Sequence, residues 1–152
     1  MGVVVNLDSS SETQISGASP SLDPLINLTA EDIKDVNTLI IHAMDSPVAL
    51  IPQLAGHLVA AGGKRLRPMM TLAAARMCGY KGERHKGLAA CVEFIHTATL
   101  LHDDVVDDSS FRRGNESVNN IWSNAHGVLI GDYIYSKAFI YMVDVGKKEI
   151  LK

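Results

Sequence analysis

The stretch LLHDDVVDDSSFRRG, Leu100 to Gly114, sets four aspartates within six residues and follows them with two adjacent arginines. Only 20% of the chain is charged, so this concentration demands a cause. Ile95 to Leu101, directly upstream, is apolar and places the acidic run at the mouth of a core. At about 100° per residue on a helix, His96, Leu100, Asp103 and Asp107 fall within about 60° of one another. Asp103 and Asp107 then project side by side, with Cβ atoms about 5–6 Å apart, and Asp104 flanks them. Two carboxylates so placed repel unless a cation sits between them, and Mg²⁺, which takes one or two carboxylates with water and phosphate oxygen, suits the geometry. The plainer alternative is an acidic helix end pointing into water, although acids at a C-terminus oppose the helix dipole.

Around this stretch the chain reads as helices. Its 152 residues suffice for one domain with a core, and 47% are hydrophobic, as in a globular protein. Ile33, Val36, Leu39 and Ile40 repeat at helical spacing behind Thr29-Ala-Glu-Asp, which has the form of an N-terminal cap. A second helix is expected through Leu50, Leu54, Leu58 and Val59 up to Gly62-Gly63, and a third from Pro68 to the stop at Gly79. The fourth is expected over Lys86 to Asp108. After a break at SSFRRGNES, a fifth spans Val118 to Val145, bent at Gly127 or Gly131. No strand alternation and no repeat is visible, so the fold class is all-α. Residues 1–24 are Ser-rich and polar toward their end, a mobile leader ahead of a helical domain over 25–152.

Other features narrow the function classes. A formal charge of −3 without a basic block gives nucleic acid no footprint. No apolar run reaches the roughly 18 residues of a membrane span, and MGVVVNLD lacks the pattern of a signal peptide, so a cytoplasmic protein is expected. Cys78 and Cys91 have no metal-ligand spacing and read as buried thiols of a reducing compartment. Met69, Met70 and Met77 read as core filler, and Trp122, Tyr133, Tyr135 and Tyr141 as core or subunit contacts.

A second charged cluster, GGKRLRP from Gly62 to Pro68, puts three cations in four residues at a helix start. Lys64, Arg65 and Arg67 beside unpaired N–H groups suit a phosphate or diphosphate, and equally describe a solvated basic turn. Arg112-Arg113-Gly114 is a third anion-binding candidate. His102-Asp103 also matches the start of an HD-type phosphohydrolase metal site, which would need further ligands such as His42 or His57 and leaves the basic motifs unexplained.

GGKRLRP, EFIHTATLLHDDVVDDSSFRRG and NAHGVLIGDYIYSKAF, in this order and spacing, resemble segments of the all-trans polyprenyl diphosphate synthases, particularly the long-chain octaprenyl and decaprenyl type of quinone biosynthesis. The resemblance implies an isoprenoid synthase-type helical bundle that condenses isopentenyl diphosphate with an allylic prenyl diphosphate by ionisation, condensation and elimination. By resemblance, Asp103 and Asp107 hold Mg²⁺ against the allylic diphosphate, with Asp104 in support and Arg112 contacting that diphosphate. Lys64, Arg67, His96 and Arg113 resemble the positions that bind isopentenyl diphosphate. Ala98 and Thr99 occupy the positions where bulky residues shorten the product, and their small size implies a long chain. The family also implies a homodimer.

The chain departs from the family pattern in lacking the second aspartate-rich motif and its accompanying lysines. A complete synthase has roughly twice this length, so the expectation is an N-terminal portion, inactive alone, in which Leu129, Ile130, Ile134 and Phe139 cannot all be covered. A non-catalytic partner in a synthase heteromer is the alternative.

Overall fold

The computed structural model describes residues 21–53, 56 and 63–147. Helix α1 spans Asp23–Ala43, α2 Leu66–Met77, α3 Arg84–Val106, α4 Val118–Ile121 and α5 Asn124–Val145. Residues 50–53 are also helical, and most of the second expected helix lies outside the described residues, as do residues 1–20 of the expected leader.

The first helix begins at Asp23 rather than at Thr29. Pro24 supplies a preset φ in its first turn, and the Asp23 N–H donates to Ser21 Oγ at 3.0 Å. Thr29 is instead fully buried inside α1, its hydroxyl donating to the Leu25 carbonyl at 2.8 Å. Along the same face Val36, Ile40 and Ala43 enter the core with Leu72 of α2, Ala89, Ala90, Phe94 and Ala98 of α3, and Ile134 and Ala138 of α5. The Tyr141 hydroxyl donates to the Leu39 carbonyl at 3.3 Å, tying α5 to α1. Arg76 Nη2 donates to the buried Asp32 at 2.8 Å, tying α2 to α1. Burial would raise the Asp32 pKa, but the Arg76 hydrogen bond and the charges of Arg76, His85 and Lys86 outweigh it and hold the carboxyl below its ordinary value.

Helices α3 and α5 run antiparallel at close range because glycines remove side chains from the seam. A Cβ on Gly127 would lie 2.8 Å from Val105 Cγ2, and one on Gly87 2.7 Å from Val145 Cγ1. Gly127 and Gly131 are therefore packing positions within a continuous helix. The break in the expected fifth helix falls earlier, at Trp122-Ser123, where Ser123 Oγ accepts from the His126 N–H and starts α5.

Buried and exposed side chains divide some expected groups. Ile130 and Ile134 are buried, whereas Leu129 and Phe139 are exposed. Met69 is buried, but Met70 and Met77 stand in solvent. Cys91 is buried and Cys78 exposed. Trp122, Tyr133 and Tyr141 pack against the core, while Tyr135 is exposed. Among the described residues no helix is long and apolar enough to cross a membrane.

Candidate diphosphate and metal site

Helix α3 ends at Val106, two residues before the expected limit. Asp108 adopts a left-handed φ of 50°, and its N–H donates to the Val105 carbonyl while the Ser109 N–H donates to the Asp104 carbonyl at 2.9 Å. These paired bonds terminate a helix with a non-helical residue at the position glycine usually takes. The chain then forms a short hairpin, with Phe111–Arg112 pairing antiparallel to Asn115–Glu116. Arg113 and Gly114 make its two-residue turn, with φ values of 51° and 82°, the geometry that matches strand twist. The hairpin is a small addition to an otherwise helical fold, and it falls within the break expected at SSFRRGNES. It folds the two arginines back over the end of α3.

Arg112 is the consequence of that fold. Its Nε donates to both oxygens of Asp104 at 2.7 and 2.8 Å, and Nη2 lies 2.6 Å from Oδ1. The Asp104 hydrogen bonds, with weaker contributions from the charges of Asp104, Asp103 and Asp107, raise the Arg112 pKa above its ordinary value. Asp104 is 3% exposed. The acidic run is thus divided: Asp104 points inward and is occupied by Arg112, while Asp103 and Asp107 are exposed. Asn119 reinforces the arrangement, its Nδ2 donating to the carbonyls of Asp104 and Ser109.

The turn before α2 faces the hairpin. Gly63 lies so close to Arg113 that a Cβ there would be 2.9 Å from Nη1. Between them opens a cleft of about 480 Å³, lined by Lys64, Arg65 and Arg67 of the turn, Glu93, His96 and Asp104 of α3, and Arg112 and Arg113 of the hairpin. Lys64, Arg67, His96, Arg112 and Arg113 therefore line one cleft together with Asp104, whereas Asp103 and Asp107 are exposed and are not among its lining residues. Burial and then the charge of Arg67, with those of Arg113 and Arg112, push the His96 imidazole below its ordinary pKa, and Glu93 pulls partly the other way. His96 is accordingly neutral at pH 7 and offers a hydrogen bond without a second charge.

Two sequence candidates are placed differently from one another. Ala98 is fully buried in the core, whereas Thr99 is exposed with its hydroxyl donating to the His96 carbonyl at 2.8 Å. Arg65, read in sequence as one more cation for an anion, instead gives its Nη1 to Glu93 Oε1 at 2.6 Å. His102 is engaged on α5, its Nε2 3.3 Å from the Val128 carbonyl and 3.4 Å from Asp132. Among the described residues no three His, Cys, Asp or Glu side chains cluster as metal ligands, and His57, one of the ligands the HD-type reading would need, lies outside the described residues.

The Polyprenyl synthetase family model matches residues 48–152. Octaprenyl diphosphate synthase of Escherichia coli (strain K12) is 48% identical over 132 residues, 87% of this chain and 41% of that protein. The all-trans-nonaprenyl-diphosphate synthase (geranyl-diphosphate specific) of Rhodobacter capsulatus is 44% identical over 124 residues, 81% of this chain and 38% of its own length. Among solved structures, a Caulobacter crescentus polyprenyl synthase complexed with calcium and isoprenyl diphosphate superposes with a TM-score of 0.84 at 52% identity, covering 89% of this chain and 41% of that one. A decaprenyl diphosphate synthase from Rhodobacter capsulatus gives 0.82 at 53% identity, covering 86% and 41%. The chain spans about two-fifths of the length of these relatives. A family match over most of the sequence, on a helical fold shared at this identity, establishes that the chain belongs to the polyprenyl synthetase family.

Proposed function

We propose that this chain carries the first diphosphate-binding half of a long-chain all-trans polyprenyl diphosphate synthase, which condenses isopentenyl diphosphate with an allylic prenyl diphosphate for a quinone side chain. One observation carries the reading: Lys64, Arg67, His96, Arg112 and Arg113 line a single cleft, and Asp103 and Asp107, whose charges act on Arg112, are exposed. Lys64, Arg67, His96 and Arg113 receive isopentenyl diphosphate. Arg112, held in place by Asp104, binds the allylic diphosphate and stabilises its negative charge as it leaves. The complete enzyme is read as a cytoplasmic homodimer.

The donor set open to a metal fits Mg²⁺. Asp104 is occupied by Arg112, which leaves Asp103 and Asp107, two exposed carboxylates one helical turn apart, and a hard octahedral cation accepts one or two carboxylates with its remaining positions given to water and phosphate. When bound, Mg²⁺ supplies Lewis-acid stabilisation of the departing diphosphate.

The test replaces the matching segment of the Escherichia coli octaprenyl synthase with residues 25–152 of this chain and measures condensation of labelled isopentenyl diphosphate. Product is expected, falling about 10²–10³-fold with Asp103→Asn. A folded chimera that forms no product, or one indifferent to Asp103→Asn, defeats the proposal. The chain by itself is expected to bind diphosphate in a Mg²⁺-dependent way without turnover. If its addition to a full-length synthase changes that enzyme's rate, the non-catalytic partner reading gains instead.

A further inference from the structure

Arg65 is the cation of the Gly63–Pro68 turn that is largely removed from water. Its side chain is 17% exposed and that of Glu93 is 10% exposed, with Nη1 and Oε1 2.6 Å apart. The backbone of Arg65 is left-handed, with φ 48° and ψ 33°, a region that disfavours residues carrying a Cβ, and the residue stands between Lys64 and Arg67 immediately before α2. A side-chain anchor across to α3 accounts for a non-glycine residue held there. Glu93 also needs a reason to exist. It lines a cleft rich in cations, with Asp104 and Glu116 as the other carboxylates, and a carboxylate beside an incoming anion weakens binding unless it does something else.

Both observations have one resolution. We propose that Arg65 and Glu93 are a positioning pair: the ion pair clamps the turn onto α3, so that Lys64 and Arg67 face the same space as His96, one helical turn beyond Glu93. This rests on the diphosphate reading of the cleft. Arg65 acts through its neighbours and does not itself touch the ligand. The pair thus aligns two separate stretches of chain, the turn and α3, on a common diphosphate.

The alternative, Arg65 as a direct diphosphate ligand that Glu93 merely borrows, predicts the opposite sign for one substitution. The experiment measures binding of inorganic diphosphate and of isopentenyl diphosphate to the full chain by calorimetry for wild type, Arg65→Met, Glu93→Gln and the double variant. Positioning predicts that each single change weakens binding about tenfold, the worth of one charge-assisted contact. Glu93→Gln does so although it removes a negative charge, and the double variant is within about twofold of the worse single one. Arg65→Lys recovers part of the loss. If Glu93→Gln binds as well as wild type or tighter while Arg65→Met is weakened, Arg65 is a ligand and the proposal is overturned.

A ligand-independent readout separates failure of the site from failure of the clamp. The Met69 N–H donates to the Arg65 carbonyl at 3.0 Å, so its hydrogen exchange reports whether the turn is held. Exchange at Met69 is expected to accelerate in both single variants, with Ala138 amide exchange in α5 unchanged. Unchanged Met69 exchange overturns the clamp. If wild type binds neither ligand while Met69 responds, the diphosphate reading falls and the clamp on the turn stands.

Discussion

Three aspartates of one run are assigned opposite energetic roles, and neutralising them one at a time separates those roles. Asp104 is 3% exposed and receives three contacts from Arg112 between 2.6 and 2.8 Å. Breaking a wholly buried ion pair costs about 3–5 kcal/mol. About a third of the Arg112 side chain is in solvent, and asparagine keeps one oxygen as an acceptor, so Asp104→Asn is expected to cost about 2 kcal/mol. For a domain of this size that lowers Tm by about 4–8 °C. Asp103 and Asp107 are exposed at a helix C-terminus, where negative charge opposes the dipole. Neutralising either should leave stability unchanged or raise it by about 0.5 kcal/mol. The assay is urea or thermal unfolding followed by circular dichroism, repeated with Arg112→Ala. In the cycle, Asp104→Asn and Arg112→Ala should couple by about 1–2 kcal/mol. Mg²⁺-dependent diphosphate binding should show the reverse ranking, lost in Asp103→Asn and Asp107→Asn. Asp103→Asn destabilising as much as Asp104→Asn, or no coupling between Asp104 and Arg112, would refute this division.

Three further outcomes follow from the same structure. Gly127→Ala gains about 1 kcal/mol of helix propensity but puts a Cβ 2.8 Å from Val105 Cγ2. Overpacking of about 1–3 kcal/mol should win, and a higher unfolding midpoint would show that the α3–α5 seam can yield. The His96 pKa is depressed, first by burial and then by Arg67, so the unfolded chain takes up a proton before the folded one as pH falls. Its stabilising contribution is complete above about pH 6.5 and is lost as pH drops through the lower folded value, so His96→Gln should flatten the stability profile below about pH 6.5, and an identical slope would reject the shift. In the chimera, Thr99→Phe should shorten the product because Thr99 is exposed, whereas Ala98→Phe fills a fully buried site and should cost about 1–3 kcal/mol of stability before any effect on length can be read. Unchanged product length with Thr99→Phe would place the limit elsewhere.

What was legible in the sequence were the features set by period and by strong local signals. The helical spacing of Ile33 to Ile40, the stop at Gly79 and the acidic face of α3 all appear in the structure where that logic places them. The misses share a cause, which is local hydrogen bonding by residues that propensity treats as neutral. Thr29 has the sequence form of a cap but donates backward within α1, because Pro24 starts the helix a turn and a half earlier. Ser123 caps α5 inside a run that reads as one continuous helix. Asp108 takes the left-handed residue after α3 without being glycine. The gathering of the cleft was less legible still, since nothing in the spacing of GGKRLRP and FRRG shows that Gly63 lies against the Arg113 guanidinium.

Helical rotation explains how one acidic run comes to serve two purposes. Neighbouring residues diverge by about 100°, whereas residues four apart diverge by about 40°. Asp103 and Asp107 must therefore share a face, and Asp104 must leave it. With α3 packed on α5 along one side, the face of Asp104 turns toward the hairpin, and a buried carboxylate there is tolerable only with a cation delivered to it. Arg112 arrives because the helix ends at Val106 and the chain reverses within a few residues. The same reversal places Arg113 at the hairpin tip against Gly63. A single geometric event, the termination of α3, thus fixes the anchored arginine, positions the second one, and leaves two carboxylates exposed. If that termination is what organises the site, Asp108→Gly, which relieves the left-handed backbone without touching any proposed ligand, should stabilise the chain by a few tenths of a kcal/mol to about 1 kcal/mol and leave Mg²⁺-dependent diphosphate binding intact. Lost binding in a stabilised Asp108→Gly chain would mean that Asp108 belongs to the ligand set and that the helix end alone does not build the site.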